Sequence, residues 1–353
     1  MSQEKSTMKD IQVANLKGVL IICIFFYHST TALKYVTTPQ WIPIEQQLAF
    51  TYCFSRVLGV FFLISGYYSI QQNYVLSFAN WWNIVVHRAK RILIPYFLWN
   101  IIYIMFFCLG GIFLPSIALR VQEMNLNTCQ GILGGILGVW TRPADGPIWY
   151  LRDLFCLSIL SPIFYWISQK RRGLIILVII LLGYWWASQK FILTFCHSYE
   201  LTAFVLGVWM RQAKVSLHYF DNKGWIAIIF FVLFILFASN HVTYLPLLHI
   251  YKTGGEYLIL IPTLLYMMKY LSYSMDTRRY IMITKPSFFI FASHALFASM
   301  VVRVFCPYFP VTPVNGILFA ILYFLGGGML IYIAYILLIK SNITISKLLM
   351  GGR

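Results

Sequence analysis

The stretch NLKGVLIICIFFYHS, residues 15–29, decides the fold class. It is an apolar run that carries one lysine, Lys17, near its start and one histidine, His28, near its end. Runs close to the roughly 20 residues needed to cross a bilayer recur along the chain. The 353 residues are 60% hydrophobic and 10% charged, whereas soluble proteins are about 25% charged. The sequence therefore predicts an all-α, polytopic membrane protein.

Ten membrane-spanning helices are predicted from the apolar runs. They cover residues 11–33, 48–70, 92–115, 147–168, 174–189, 196–211, 224–240, 256–274, 286–305 and 315–339. The longest predicted outer loop, residues 116–146, carries GILGGILGVW, which is typical of a short interfacial or re-entrant helix. We expect a single integral membrane domain over residues 1–353, with no fused soluble extracytoplasmic domain.

The distribution of Lys and Arg predicts the orientation of the chain, because cytoplasmic loops carry an excess of these residues. Eighteen of the 27 lie in the predicted inner segments and six in the outer ones. This bias predicts that both termini are cytoplasmic. It also accounts for most of the formal net charge of +17, so no nucleic-acid partner is expected.

Ionisable side chains inside the predicted spans are the candidates for function. Each costs about 2.5–3.5 kcal/mol on insertion scales, so such a residue usually faces a partner or an aqueous cavity. The candidates, besides Lys17 at the membrane edge, are His28, Arg56, Arg152, Asp153, Glu200 and His294.

Lys17 and His28 are eleven residues apart, which on an ideal helix is about 20° beyond three turns and a rise of about 16.5 Å. They therefore share one face of the first span. Lys17 is either a ligand-binding cation or a snorkelling anchor at the inner membrane edge. His28 is either a proton-transfer residue or a group that hydrogen-bonds between helices.

Several motifs in order resemble the acyltransferase family 3 of integral membrane proteins, especially its fucose 4-O-acetylase-like and polysaccharide or O-antigen O-acetyltransferase-like branch. The family's Arg or Lys, ten residues and His are matched by LKGVLIICIFFYH, and its SR…FFxxSGY pattern by SRVLGVFFLISGYY, which includes Ser65 and Gly66. Further similarities, over nearly the whole chain, are HRAKRILIPYFLW, GPIWYLRDLF, AFVLGVWM and SFFIFASH. Many members have Asp three residues before Lys17, where this chain has Ala14, so an orienting acid would come from Asp153 or Glu200.

The resemblance implies transfer of an acetyl group from cytoplasmic acetyl-CoA to a hydroxyl of a cell-surface or exported carbohydrate, free or lipid-linked, in the bacterial plasma membrane. It implies no permanently bound cofactor. A hydroxyl is a poor nucleophile at neutral pH, and His28 is the best-placed base or transient acetyl carrier. Arg56 or Arg152 would supply donors to the oxyanion of the thioester carbonyl. The remaining predicted roles are CoA binding by Lys17, Arg88, Arg91 and Ser65, and acceptor binding by Trp149, Tyr150, Arg152, Glu200 and His294.

Other interpretations of these residues stay open at this point. Arg88 and Arg91 also fit topology charges, and Trp149 and Tyr150 fit an aromatic belt. Ser65, beside Gly66, also fits close helix packing. A transporter or flippase, or a polymerase, for a glycan precursor is the alternative function, although no inverted repeat is visible. Since His197, His241 and His249 are widely spread, no metal site is predicted.

Overall fold

The protein is described by a computed structural model that covers residues 2–31, 54, 56–71, 73–190, 196–239, 255–272, 284–304, 313–341 and 344–351. Within these ranges the chain is helical and forms no strand. The helices of the first half are α1 (Ser2–Thr31), α2 (Leu58–Tyr67), α3 (Phe78–Arg88), α4 (Ile94–Phe113), α5 (Pro115–Glu123), α6 (Cys129–Leu137) and α7 (Trp149–Ser168). Those of the second half are α8 (Gly173–Lys190), α9 (Ser198–Gln212), α10 (Gly224–Ser239), α11 (Glu256–Ile259), α12 (Ile261–Met267), α13 (Ser287–Val304), α14 (Pro313–Lys340) and α15 (Thr344–Leu349).

Each predicted span overlaps at least one of these helices. Four helical segments are long and apolar enough to cross a membrane, namely Ile11–Ser29, Phe78–Phe113, Gly146–Ser168 and Ile321–Lys340. Shorter apolar helices cover Leu58–Tyr67, Gly173–Ser188, Gly224–Leu236, Glu256–Met267 and Ser287–Val301. These lengths and compositions are those of a helical membrane protein, while the ten crossings and the cytoplasmic termini stay predictions.

The third predicted span, expected from residue 92, belongs to a helical segment that begins at Phe78. α3 runs through a π-helical turn, Ala89–Leu93, directly into α4. Pro95 has no N–H and its ring crowds the carbonyl four residues earlier, so a widened turn before it keeps the helix continuous. The basic residues Arg88 and Arg91 therefore lie within a helix rather than in a loop.

The outer loop contains the short helix that GILGGILGVW predicts. The Thr128 side chain accepts a hydrogen bond from the Gly131 N–H at 3.0 Å and so caps the start of α6. Gly138, at φ +65°, ends the helix in the left-handed conformation that glycine adopts without strain. The chain then reaches a 3₁₀ turn, Gly146–Ile148, which leads into α7.

The helices form two compact units. The first comprises Met1–Gly18, Arg56–Arg88 and Asp153–Thr284, and the second comprises Val19–Ser55, Ala89–Arg152 and Lys285–Arg353. The chain therefore changes unit five times, and three of these changes fall within α1, at the start of the π-helical turn and within α7. We describe the contacts of each unit separately.

The first unit is built around the close packing of α2 on α9. A Cβ at Gly66 would overlap the carbonyl oxygen of Phe204, and one at Gly207 would overlap that of Leu63. Glycine at these positions lets the two backbones touch, as small residues do between membrane helices. This contact fixes the turn that follows α2.

The second unit joins the later half of α1 to α13 and α14. Phe25 packs against Tyr323 and Phe324, with ring centroids 6.0 and 5.2 Å apart. The hydroxyls of Tyr103 on α4 and Ser299 on α13 are 2.9 Å apart, within hydrogen-bonding distance. α14 thereby packs beside the part of α1 that carries His28, and α4 is tied to α13.

Candidate functional site

Two histidines face each other in the second unit. His28 on α1 and His294 on α13 have ring centroids 4.9 Å apart, with the ring planes at 40°. His294 is only 1% exposed, and Phe25, one turn before His28, packs edge-on against it at 6.1 Å. We call His28 and His294 the histidine pair.

The hydrogen bonding of His294 assigns its tautomer. Its Nδ1 lies 2.6 Å from the carbonyl oxygen of Phe291. Since a carbonyl oxygen only accepts, Nδ1 carries the proton and Nε2 of the neutral ring is a hydrogen-bond acceptor. Nε2 is buried without a hydrogen-bond partner among the described residues. Leaving a buried polar atom unsatisfied costs about 1–3 kcal/mol, so this atom is suited to meet a group from a substrate or from His28 itself.

Three cations surround the end of α2 in the first unit. The Lys17 Nζ is 6.0 Å from the ring centroid of Tyr68, and Arg88 donates to the Tyr68 carbonyl at 3.3 Å. The guanidinium of Arg211 lies 5.2 Å from the ring centroid of Tyr67. We call Lys17, Arg88 and Arg211 the basic group. Three positive charges around one turn are suited to bind phosphate.

Arg211 is a member of the basic group that the sequence-based prediction missed. Its position at the end of a predicted span is that of a topology charge, and no motif distinguishes it. Its Nε is buried and has no hydrogen-bond partner in the part of the chain that the structure describes. Of the other residues predicted to bind CoA, Ser65 is half-buried on α2 and Arg91 is exposed in the second unit.

Arg56 is held by an ion pair in the first unit. Its Nε lies 2.5 Å from a carboxylate oxygen of Glu256, and its Nη1 donates to the Tyr257 hydroxyl at 2.5 Å. The Glu256 side chain is 2% exposed, so its charge depends on this partner. Glu256 was not among the predicted candidates, although it begins a predicted span. The predicted role of Arg56 as an oxyanion donor stays a prediction.

The chain matches one family over residues 11–339, and the family is described as an acyltransferase domain. This match spans nearly the whole sequence, including the histidine pair and the basic group. The chain belongs to the acyltransferase 3 family. No curated protein and no solved structure matches it. Family membership supports a membrane acyltransferase over a transporter or a polymerase, whereas the fucose 4-O-acetylase-like or O-antigen branch stays a prediction.

In this acyltransferase, Asp153 and Glu200 belong to a polar cluster of the first unit. Glu200 accepts the backbone N–H of His197 at 3.1 Å and lies 2.7 Å from its Nδ1, which caps the start of α9. Asp153 accepts the Cys196 N–H at 3.0 Å. Both carboxylates are fully buried, and the predicted orienting roles at the catalytic site stay predictions.

The same cluster is compact enough to surround a metal ion. Ligand atoms of Asp153, His197 and Glu200 all lie within 4.8 Å of one another. The backbone and capping contacts already engage these carboxylates, so the geometry does not require a metal. The prediction of no metal stays a prediction, and His241 and His249 lie outside the described residues.

The GPIWYLRDLF motif of the acyltransferase lies at the start of α7. Tyr150 is buried, and its ring packs edge-on against Phe291 at 5.7 Å. Arg152 is buried and donates to the Gly138 carbonyl, which ties α7 to the end of α6. Trp149 is half-buried. The roles of these residues in binding the acceptor stay predictions.

Proposed function

We propose that this acyltransferase moves an acetyl group from cytoplasmic acetyl-CoA to a hydroxyl of a cell-surface or exported carbohydrate. It would do so as a multi-pass protein of the bacterial plasma membrane, with ten spans and both termini in the cytoplasm. The observation that carries the proposal is the histidine pair, since a buried imidazole is the side chain best suited to accept the proton of a hydroxyl near neutral pH.

In the direct route, His28 takes the proton of the acceptor hydroxyl. The hydroxyl oxygen attacks the thioester carbonyl carbon, a C–O bond forms, and the C–S bond breaks as the tetrahedral intermediate collapses. The leaving thiolate takes the proton back from His28 to give free CoA. General base catalysis of this kind contributes about 10²- to 10⁴-fold to the rate.

In the two-step route, His28 is itself the first nucleophile. Its unprotonated ring nitrogen attacks the thioester carbonyl, the C–S bond breaks, and the thiolate leaves as free CoA with the proton of the other ring nitrogen. The acceptor hydroxyl then attacks the acetyl carbonyl, the C–N bond breaks, and the hydroxyl proton returns to the imidazole. This route lets donor and acceptor react at different times and gives ping-pong kinetics. Both routes depend on His28, and the sequence favours neither.

His294 is proposed to stabilise the protonated state of His28. Its unpartnered Nε2 is an acceptor on a ring 4.9 Å from that of His28, and catalytic hydrogen bonds tighten when substrate binds. An N–H of His28 donating to this atom would hold the ring and its positive charge. His294 would thereby supply the orienting acceptor that Ala14 does not.

The basic group is proposed to hold the phosphates of CoA. Lys17, Arg88 and Arg211 place three positive charges around the end of α2, and positive charges of this kind bind phosphate by charge-assisted hydrogen bonds. Arg91 and Ser65 remain further proposed CoA contacts, and Trp149 and Tyr150 proposed acceptor contacts.

The experiment is acetyl transfer by the purified protein in a detergent without sugar headgroups, because maltoside and glucoside detergents carry sugar hydroxyls that would compete with the added acceptor. Free CoA is quantified by chromatography, since the exposed Cys129 reacts with thiol reagents. We expect CoA release that depends on an added carbohydrate. Absence of turnover with every hydroxyl acceptor would contradict the proposed function.

A variant of the basic group tests where the donor binds. Arg211→Gln should raise the KM for acetyl-CoA about tenfold or more, because a charge-assisted hydrogen bond to phosphate is lost. The matched control is Lys214→Gln, an exposed cation just after α9, which should leave this KM unchanged. Equal KM values in both variants would remove Arg211 from the donor site.

A further inference from the structure

Asp145, just before the 3₁₀ turn that leads into α7, is a buried carboxylate that the chemistry above does not use. Its side chain is 0% exposed. Neither of its carboxylate oxygens has a hydrogen-bond partner among the residues that the structure describes. Burial also raises the pKa of this carboxyl well above its usual range. An unpartnered buried acid is costly, and such a cost is often retained for function.

Asp145 stands at the start of a helical turn, where an aspartate side chain is expected to make a capping hydrogen bond. Asp at the start of a helix normally accepts a backbone N–H of the first turn, which is worth about 1 kcal/mol. Here the backbone carbonyl of Asp145 accepts the Ile148 N–H at 3.2 Å, and the side chain makes no capping bond. The Asp145 N–H is held at 3.0 Å by the buried Asn100 side chain. The backbone is therefore fixed, and the carboxylate does not serve as a helix cap.

The residue that follows Asp145 borders open space. A Cβ built on Gly146 would meet no heavy atom within 4 Å, in contrast to the tightly packed Gly66. The turn that begins at Gly146 packs on α13, the helix that carries His294. Two residues after this turn, Tyr150 at the start of α7 packs against Phe291, which also lies on α13. Asp145, the open position and the histidine pair therefore all belong to the second unit.

We propose that Asp145 and the space at Gly146 bind the hydroxyl-bearing acceptor, with the two carboxylate oxygens accepting hydrogen bonds from adjacent hydroxyls of a sugar. A carboxylate offers two acceptor atoms side by side, which matches a pair of vicinal hydroxyls. A metal ion would need several oxygen ligands, and Asp145 belongs to no cluster of metal-ligating side chains within the described ranges. This inference rests on the proposed carbohydrate acceptor.

Two variants test the proposal without disrupting the fold. Asp145→Asn keeps the size of the side chain and removes a buried acid whose charged form burial already disfavours, so its melting temperature should equal or exceed that of the wild type. Gly146→Leu places a side chain at a position where the added Cβ meets no heavy atom within 4 Å. Each should raise the acceptor KM about 10- to 100-fold while leaving the KM for acetyl-CoA unchanged. The controls are Glu123→Gln, an exposed acid of the same unit, and Gly326→Leu, an equally open glycine on α14.

Binding measured without acetyl-CoA separates this inference from the proposed reaction. The probes are methyl glycosides of glucose, galactose, mannose and their 6-deoxy forms, observed by saturation-transfer NMR in a sugar-free detergent. We expect a signal with the wild type that Asp145→Asn and Gly146→Leu lose and both controls keep. Absence of any wild-type signal, or equal signals in all variants, overturns the inference. Glycoside binding that depends on Asp145, without CoA release, would instead keep the inference and contradict the acetyl transfer.

Discussion

Removing Arg56 should strongly destabilise the first unit, because it leaves Glu256 buried without its ion-pair partner. The Glu256 side chain is 2% exposed and lies 2.5 Å from the Arg56 guanidinium. Breaking a buried pair by deleting one member costs about 3–5 kcal/mol, whereas replacing both members by apolar residues of similar size is close to neutral. Arg56→Met should therefore lower the free energy of unfolding by about 3–5 kcal/mol. Adding Glu256→Leu should restore most of that loss.

Unfolding in mixed detergent micelles is monitored by tryptophan fluorescence. The proteins compared are both single variants, the double variant and the control Arg171→Met. Arg171 is an exposed cation of the same unit, so its loss should change stability by less than about 0.5 kcal/mol. The reasoning is refuted if the double variant is as unstable as Arg56→Met. Activity then decides the catalytic role: the contacts favour a structural one, so the double variant should transfer acetyl groups within a few-fold of wild type. A stable double variant that has lost about 10²-fold or more in rate would instead identify Arg56 as an oxyanion donor.

Three further substitutions test packing and capping, each by thermal unfolding. Gly66→Ala should lower the free energy of unfolding by about 1–3 kcal/mol, because its Cβ overlaps the Phe204 carbonyl. Gly183→Ala, whose Cβ meets no atom within 4 Å, should be neutral or stabilising. Equal effects of the two substitutions would contradict the close packing of α2 on α9. Glu200→Ala should cost about 1 kcal/mol or more through loss of the cap at α9, and an unchanged melting temperature would show that the cap contributes nothing. Tyr103→Phe should cost about 1 kcal/mol through loss of its hydrogen bond to Ser299, and a stabilised variant would be inconsistent with that bond.

The helices of this acyltransferase could be predicted from the sequence because lipid demands long apolar runs whose backbone is satisfied internally. Boundaries were less accessible where polar and apolar residues mix. α3 carries Asn and His among its aromatic residues, and therefore does not stand out as part of the following span. The continuity from Phe78 through the π-helical turn depends on tertiary contacts and on the accommodation of Pro95.

The candidate site was partly accessible by the same physics. The cost of charge in lipid singles out His28 and His294 from the sequence, but their proximity depends on how α1 and α13 pack. The cost of charge in lipid also applies to Glu256, which begins a predicted span and could have been identified as a candidate in the same way. Arg211 was indistinguishable from a topology charge. Asp145 lies outside the predicted spans, so the cost of placing a charge in lipid does not single it out from the sequence. Only its burial in the structure makes it unusual.

The most direct test of the central claim is the rate of acetyl transfer by His28→Ala, measured beside Cys23→Ala, a substitution of a half-buried residue on the same helix. Both proteins should melt close to the wild type. If His28 is the base or the acetyl carrier, its removal lowers the rate about 10²- to 10⁴-fold, while Cys23→Ala stays near wild type. A folded His28→Ala protein that retains most of the wild-type rate would contradict the account.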